Sequence, residues 1–279
     1  MRRNKLIDGL AGERPVFLAF SQLGRENAVR MSTSGYDGVI IDMEHTPFDV
    51  QGAQDYLQYL LDPQAIAATG PAPSVTPVVR IAANGSESNE WMAKQVLDAG
   101  SYGVVWPHID TVEQARHAVS ACRYPAFSDR HPDLGSRGCG PFAAARYMGV
   151  PIDEYYATLG GVWPLDPSGE VFVVIMIESG AGVSNIRQIL TEVPGIGAVF
   201  VGPGDLSQSY GMHGRYSDPV VAGACAHVLA ECQEAGVACG ITATEETIGD
   251  RLAAGYRLLV VQPRMVVPDF AAHVAAMQS

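Results

Sequence analysis

Charged side chains stand directly behind apolar runs at several places in this sequence, each a place where a buried strand would end. The stretch VIIDMEHTPFDV (39–50) runs from apolar residues straight into Asp42, Glu44 and His45. TPVVR ends on Arg80 and VFVVIMIE on Glu178, while GAVFVG leads through Pro203 and Gly204 to Asp205. Singly, each has a structural explanation. An acid behind a strand caps the next helix, an arginine pairs with an acid, and a turn histidine is solvated. Together they supply the parts for proton or carbon transfer beside a carbonyl group.

The residue types narrow the chemistry. Two carboxylates on adjacent strands, with no histidine or cysteine beside them, favour Mg²⁺ or Mn²⁺ over zinc. The glycines around Pro203 let backbone amides approach an anion closely. An arginine facing the same point stabilises a developing oxyanion. Asp42 near His45 suits a dyad in which the acid orients the imidazole.

Such residues need elements that bring them together. Strand-like runs recur at 16–20, 38–42, 76–80, 103–107, 171–178, 197–202, 237–241 and 258–262. Between them lie amphipathic stretches such as VQGAQDYLQYLL, TVEQARHAVSAC and GVSNIRQILTEV, with glycine stops before the next strand. Continuous apolar strands alternating with helices imply a parallel sheet covered on both faces. Eight such units in 279 residues fit a closed (β/α)8 barrel. An open doubly wound sheet would want a glycine-rich phosphate turn after its first strand, and SQLGRENAV has none. The expectation is a single barrel domain over 1–279, with loops inserted near 62–75 and 124–170. The second loop is long enough for a lid or a contact between subunits. In a parallel barrel, chemistry belongs at the C-terminal strand ends.

Composition excludes several classes. A net charge of −12 argues against nucleic acid or an anionic membrane as partner. No apolar run approaches the roughly 18 residues of a membrane span, and the N-terminus lacks a signal-peptide core. Five scattered cysteines, never in a CxxC pair, make disulfides or a zinc cluster unexpected. A reduced, cytoplasmic protein is expected. The two lysines are Lys5, expected in a frayed leader, and Lys94, expected mid-helix, so a Schiff-base mechanism has almost no candidate.

Taken in order, IDMEH, PVVR, GSRGCGPFAAARY, VIMIES and VGPGDLS resemble the HpcH/HpaI aldolase family over roughly residues 12–265. These are metal-dependent (class II) pyruvate aldolases of the phosphoenolpyruvate/pyruvate barrel superfamily. The resemblance implies reversible cleavage of a 4-hydroxy-2-oxo acid to pyruvate, or a related 2-oxo acid, and an aldehyde through a metal-stabilised enolate. It makes Glu178 and Asp205 the ligands of a divalent ion, Mg²⁺ or Mn²⁺ with Co²⁺ as a further option. The amides of Gly204 and Asp205 would hold the substrate carboxylate, and Arg80 would steady the enolate oxygen. His45, oriented by Asp42, would act as acid and base on the aldol hydroxyl. Phe20 stands where relatives often carry Trp, lining the substrate site, and Met176 stands where many carry Gln. The family also implies a homo-oligomer, a hexamer, with the apolar face of VPDFAAHVAAM at a subunit interface.

Other readings of the residues remain open. The same enolate chemistry serves an oxaloacetate-type decarboxylase. An acyl-CoA lyase lacks a basic stretch for the nucleotide phosphates, and a non-catalytic 2-oxo acid-binding barrel is the rival outside catalysis. Arg137 and Cys139 in GSRGCG would line the mouth or form a structural turn, and His108 would support the site from the fourth strand. Glu44 would pack or brace Arg80. The aldehyde depends on the path of the 124–170 loops.

Overall fold

The computed structural model describes residues 2–83, 89–125, 131–262 and 268–277. Among the described residues, nine strands form one sheet: β1 (Val16–Ser21), β2 (Gly38–Asp42), β3 (Thr76–Arg80), β4 (Gly103–Trp106), β5 (Val162–Trp163), β6 (Val171–Ile177), β7 (Ala198–Val201), β8 (Ala238–Ala243) and β9 (Leu258–Val261). Their order is β4-β3-β2-β1-β9-β8-β7-β6-β5, and β4 also pairs with β6. Eight strands therefore close into a parallel barrel, and the two-residue β5 adds a short pairing at the start of β6. The eight expected strands are the eight of the barrel.

Period-two alternation decides which side chains enter the barrel. Leu18, Ile40, Val78, Val105, Val174, Met176, Ala198, Phe200 and Val260 pack with one another inside it. The alternate residues, such as Phe17, Ile41, Val79, Val104 and Ile175, join the second cluster beneath the helices. Helix Val50–Leu60 shows the complementary pattern, burying Ala53, Tyr56, Leu57 and Leu60 at spacings of three and four. Its start is set by Asp49, whose side chain accepts from the Gly52 amide. Helix Val112–Cys122 begins with a reciprocal cap between Thr111 and Gln114. Helix Glu90–Ala99, which carries Lys94, ends at Gly100 in the left-handed conformation.

The N-terminus departs from expectation. Lys5 does not lie in a frayed leader; it opens helix Lys5–Ala11, whose Leu6 and Ile7 are fully buried. Leu6, Ile7 and Leu10 join the barrel-interior cluster at the N-terminal end of the strands, and a Cβ on Gly38 would come within 2.8 Å of Leu6. This helix plugs the barrel floor. Asn4 fixes it, capping the Leu6 and Ile7 amides while its own amide donates to Glu170 at 2.8 Å.

The inserted segments carry structure. Helix Pro63–Thr69 occupies the first, and helix Phe142–Met148, a π-helical turn at Tyr155–Leu159 and β5 occupy the second. The C-terminal helix Phe270–Met277 packs against its own barrel, with the Phe270 ring stacked on Phe17 at 4.3 Å. Residues 263–265 of VVQPRM lie outside the described residues. All five cysteines are free, and four are buried. Among the described residues, no helix is long and apolar enough to cross a membrane.

Candidate active site

The alternation that fills the barrel also aims the charged residues. Asp42 follows Ile40 by two, Arg80 follows Val78, Glu178 follows Met176 and Gly202 follows Phe200, so each continues the inward-facing row. All four lie at C-terminal strand ends, and a cavity of about 620 Å³ opens there. Phe20, Arg80, Glu178, Gly204 and Asp205 share its wall. The apolar floor beneath them includes Met176 and Phe200.

Arg80 is the hub of one side. Parallel register sets Asp42 beside it, and Asp42 accepts from Arg80 Nε and Nη2, both at 2.8 Å. Arg80 Nη1 lies 2.9 Å from Glu44 Oε2. The guanidinium also sits over the Phe20 ring, 4.6 Å from its centroid. Burial opposes the Asp42 charge, but the hydrogen bonds and charge of Arg80 outweigh it and hold this carboxyl below its ordinary value. Burial pushes Glu44 the other way, against the pull of Arg80, His45 and His108.

This geometry corrects the expected Asp42–His45 dyad. Both Asp42 oxygens are committed to Arg80, and one also accepts from the Glu44 amide at 3.1 Å. The carboxylate beside His45 is Glu44, with Nε2 to Oε2 at 3.5 Å. A planar guanidinium matches a carboxylate with two parallel bonds, so Arg80 outcompetes a solvent-exposed imidazole for Asp42. Glu44 therefore joins Arg80 to His45.

Glu178 anchors the opposite side. It is 2 % exposed, and burial lifts its carboxyl to about 7, while the charges of Glu44 and Asp205 add to the rise. Its Oε2 accepts from the His108 backbone amide at 3.0 Å. His108 adopts φ 53°, a left-handed conformation that a side chain-bearing residue enters only when its surroundings hold it there. The ring bridges the two halves, with Nε2 3.9 Å from Glu44 Oε1 and Nδ1 3.9 Å from Glu178 Oε2. Gly202 leaves room for Glu178, since a Cβ there would stand 2.4 Å from Oε1.

Asp205 and Gly204 occupy the first turn of helix Pro203–Ser209. Leu206 is the first residue whose amide bonds back, to Gly202, which leaves the preceding amides facing outward. A Cβ on Gly204 would meet nothing within 4 Å, so open space adjoins those amides. Among the described residues, no three His, Cys, Asp or Glu side chains converge as a metal site. Among the described residues, the carboxylates that line the cavity are Glu178 and Asp205. A buried acid whose charge is opposed by burial and by a second acid fits a hard divalent cation supplied from outside.

Arg137 does not line the mouth. Its side chain is buried, bonded to Asp98 at 2.8 Å and Tyr155 at 3.2 Å, and lies over the Tyr124 ring. It braces the 124–170 segment, while Cys139 is exposed. One wall of the cavity carries no residue that the sequence motifs marked. It is formed by Tyr216, Ala226, Leu229, Thr242, Thr244, Thr247 and Arg251. The one signal the sequence holds for it is that ITATEET follows the strand-like run at 237–241.

Known proteins share this architecture. Residues 18–257 match the family described as HpcH/HpaI aldolase/citrate lyase. A 2-keto-3-deoxy-L-rhamnonate aldolase from Klebsiella pneumoniae is 34 % identical over 245 residues, covering 88 % of this chain and 80 % of the relative. A 2-dehydro-3,6-dideoxy-6-sulfogluconate aldolase from Pseudomonas putida is 32 % identical, covering 86 % and 82 %. A crystal structure of an HpcH/HpaI aldolase/citrate lyase family protein from Burkholderia cenocepacia superposes with a TM-score of 0.76 at 32 % identity, covering 99 % of this chain and 96 % of that one.

Proposed function

The chain belongs to the HpcH/HpaI aldolase/citrate lyase family and is a carbon–carbon lyase, and from that premise we propose that it reversibly cleaves a 4-hydroxy-2-oxo acid to pyruvate, or a close 2-oxo acid, and an aldehyde. The observation that carries the proposal is the gathering of Arg80, Glu178, Gly204 and Asp205 on one cavity at the C-terminal mouth.

Glu178 and Asp205 would hold a divalent ion, Mg²⁺ or Mn²⁺ in preference and Co²⁺ as a substitute, because carboxylate oxygens are hard donors. When bound, the ion polarises the 2-oxo group and offsets the charge that develops on its oxygen. The Gly204 and Asp205 amides donate to the substrate carboxylate at the open helix end. In the cleavage direction His45 takes the proton of the C4 hydroxyl, with Glu44 at its side. The C3–C4 bond breaks, its electron pair passing to C3 and the C2 oxygen, and the aldehyde leaves. Arg80 faces the resulting oxyanion, held rigid by Asp42 and Glu44 so that little reorganisation accompanies the charge. Proton addition at C3 yields pyruvate. Phe20 supports the Arg80 plane and forms part of the substrate wall.

Pyruvate release from a panel of 4-hydroxy-2-oxo acids tests this. Glu178→Ala, Asp205→Ala and Arg80→Ala should each abolish metal-dependent release while circular dichroism retains the folded signal. Full activity of Asp205→Ala after chelation would overturn the assignment. Carbon dioxide from oxaloacetate without any aldehyde product would favour decarboxylation.

A further inference from the structure

Resting on that reading, we propose that His108 is a positioning residue of the ion site, and that it acts through its backbone amide and not through its imidazole. The amide fixes Glu178, so that the carboxylate is preset for the ion.

Strand register isolates this amide. β4 and β6 pair with Trp106 opposite Ile175. Across this pair an amide bonds to the residue before its partner, as Phe172, opposite Gly103, bonds to the Tyr102 carbonyl. Continued regularly, the register would place residue 108 opposite Ile177 and send its amide to the Met176 carbonyl. That carbonyl instead accepts from the Ile109 amide at 3.1 Å. One extra residue has entered the end of β4, and it is His108. An inserted residue drops out of the ladder and turns its backbone aside. Here the freed amide donates to Glu178 Oε2 at 3.0 Å. The φ of 53° is the local cost of that turn, since most L-residues avoid this region. Ile109 is fully buried, and its bond to Met176 holds the chain in place.

The imidazole is less engaged. Nδ1 stands 3.9 Å from Glu178 Oε2 and Nε2 3.9 Å from Glu44 Oε1, both beyond hydrogen-bond reach. The side chain is 41 % exposed, so solvent screens its attraction for either acid. Glu178, in contrast, depends on residue 108. Among the described residues its carboxylate accepts one hydrogen bond, and His108 donates it. Gly202 supplies only clearance beside Oε1. A buried carboxylate with a single donor takes its orientation from that donor, and partners that orient a metal ligand are worth about 10- to 100-fold in metal affinity.

Calorimetric titration of metal-free protein with Mn²⁺ separates backbone from ring and needs no turnover. His108→Gly and His108→Asn both remove the imidazole but enter the left-handed region readily. Each should bind Mn²⁺ within about threefold of wild type. His108→Val is β-branched and resists that region, so it should weaken binding by about tenfold or more. Urea unfolding checks that each variant is folded, and if His108→Val is not, the glycine and asparagine variants still decide whether the ring is needed. Wild-type affinity in a folded His108→Val would overturn the inference. So would a tenfold loss in both His108→Gly and His108→Asn, because the ring would then carry the effect. Absence of Mn²⁺ binding in the wild type would instead strike the ion assignment on which the inference rests.

Discussion

Removing Arg80 leaves two acids behind. Asp42 and Glu44 share its charge from largely buried positions, so Arg80→Ala should destabilise the fold by about 3 kcal/mol, read from urea unfolding. Arg80→Lys should recover part of that stability yet little activity, because an ammonium cannot bind Asp42 through two parallel bonds. Equal activity in Arg80→Lys and wild type would remove the oxyanion role. Glu178 makes a separate prediction through pH. Its carboxyl lies at about 7 in the folded, metal-free protein against an ordinary value of 4.5, so the neutral form is favoured by folding. That contribution is fully present below about 4.5 and is lost as pH rises through about 7. Glu178→Gln stays neutral throughout. Relative to this variant, metal-free wild type should lose melting temperature between pH 5 and pH 8, and a constant difference would contradict the burial argument.

Two glycines within three residues separate positioning from access at the level of elements. A Cβ at Gly202 strikes Glu178 at 2.4 Å, whereas one at Gly204 meets open space. Gly202→Ala should therefore displace Glu178 and weaken ion binding, measured by calorimetry. Gly204→Ala should bind the ion as wild type does and raise KM for the 2-oxo acid, since the methyl enters the open space that the proposed function assigns to the substrate carboxylate. The floor helix is testable too. Leu6→Ala should cost about 2–4 kcal/mol of stability, because Leu6 is fully buried inside the barrel end. The eight barrel strands are legible in the amino-acid pattern, since long apolar runs separated by amphipathic stretches with glycine stops mark each strand of a buried parallel sheet. The floor helix is not. Seven residues give too little periodicity to tell a plug from a leader, and its partners are strand starts distant in sequence.

At the scale of the molecule, barrel closure turns four separate strand ends into one rim. Sequence parity alone identifies Asp42, Arg80 and Glu178 as rim residues, because each falls two positions after a core residue. It does not identify who binds whom. Asp42 and His45 are close in sequence, and that proximity suggests a dyad, but register gives Asp42 to Arg80 and leaves Glu44 for His45. The bridge through His108 depends on one left-handed residue, which a strand pattern does not reveal. The wall bearing Arg251 is built from helix Pro219–Ala235, the end of β8 and helix Ile248–Ala254, where no motif marks a site. The proposed chemistry requires that Glu178 and Asp205 make pyruvate lose a C3 proton only with a divalent ion present. Deuterium incorporation into pyruvate in heavy water, followed by mass spectrometry, measures that step without any aldehyde. Incorporation should require Mg²⁺, Mn²⁺ or Co²⁺, stop on chelation, return when the ion is restored and be absent from Glu178→Gln. Incorporation at an undiminished rate in the chelated protein would contradict it.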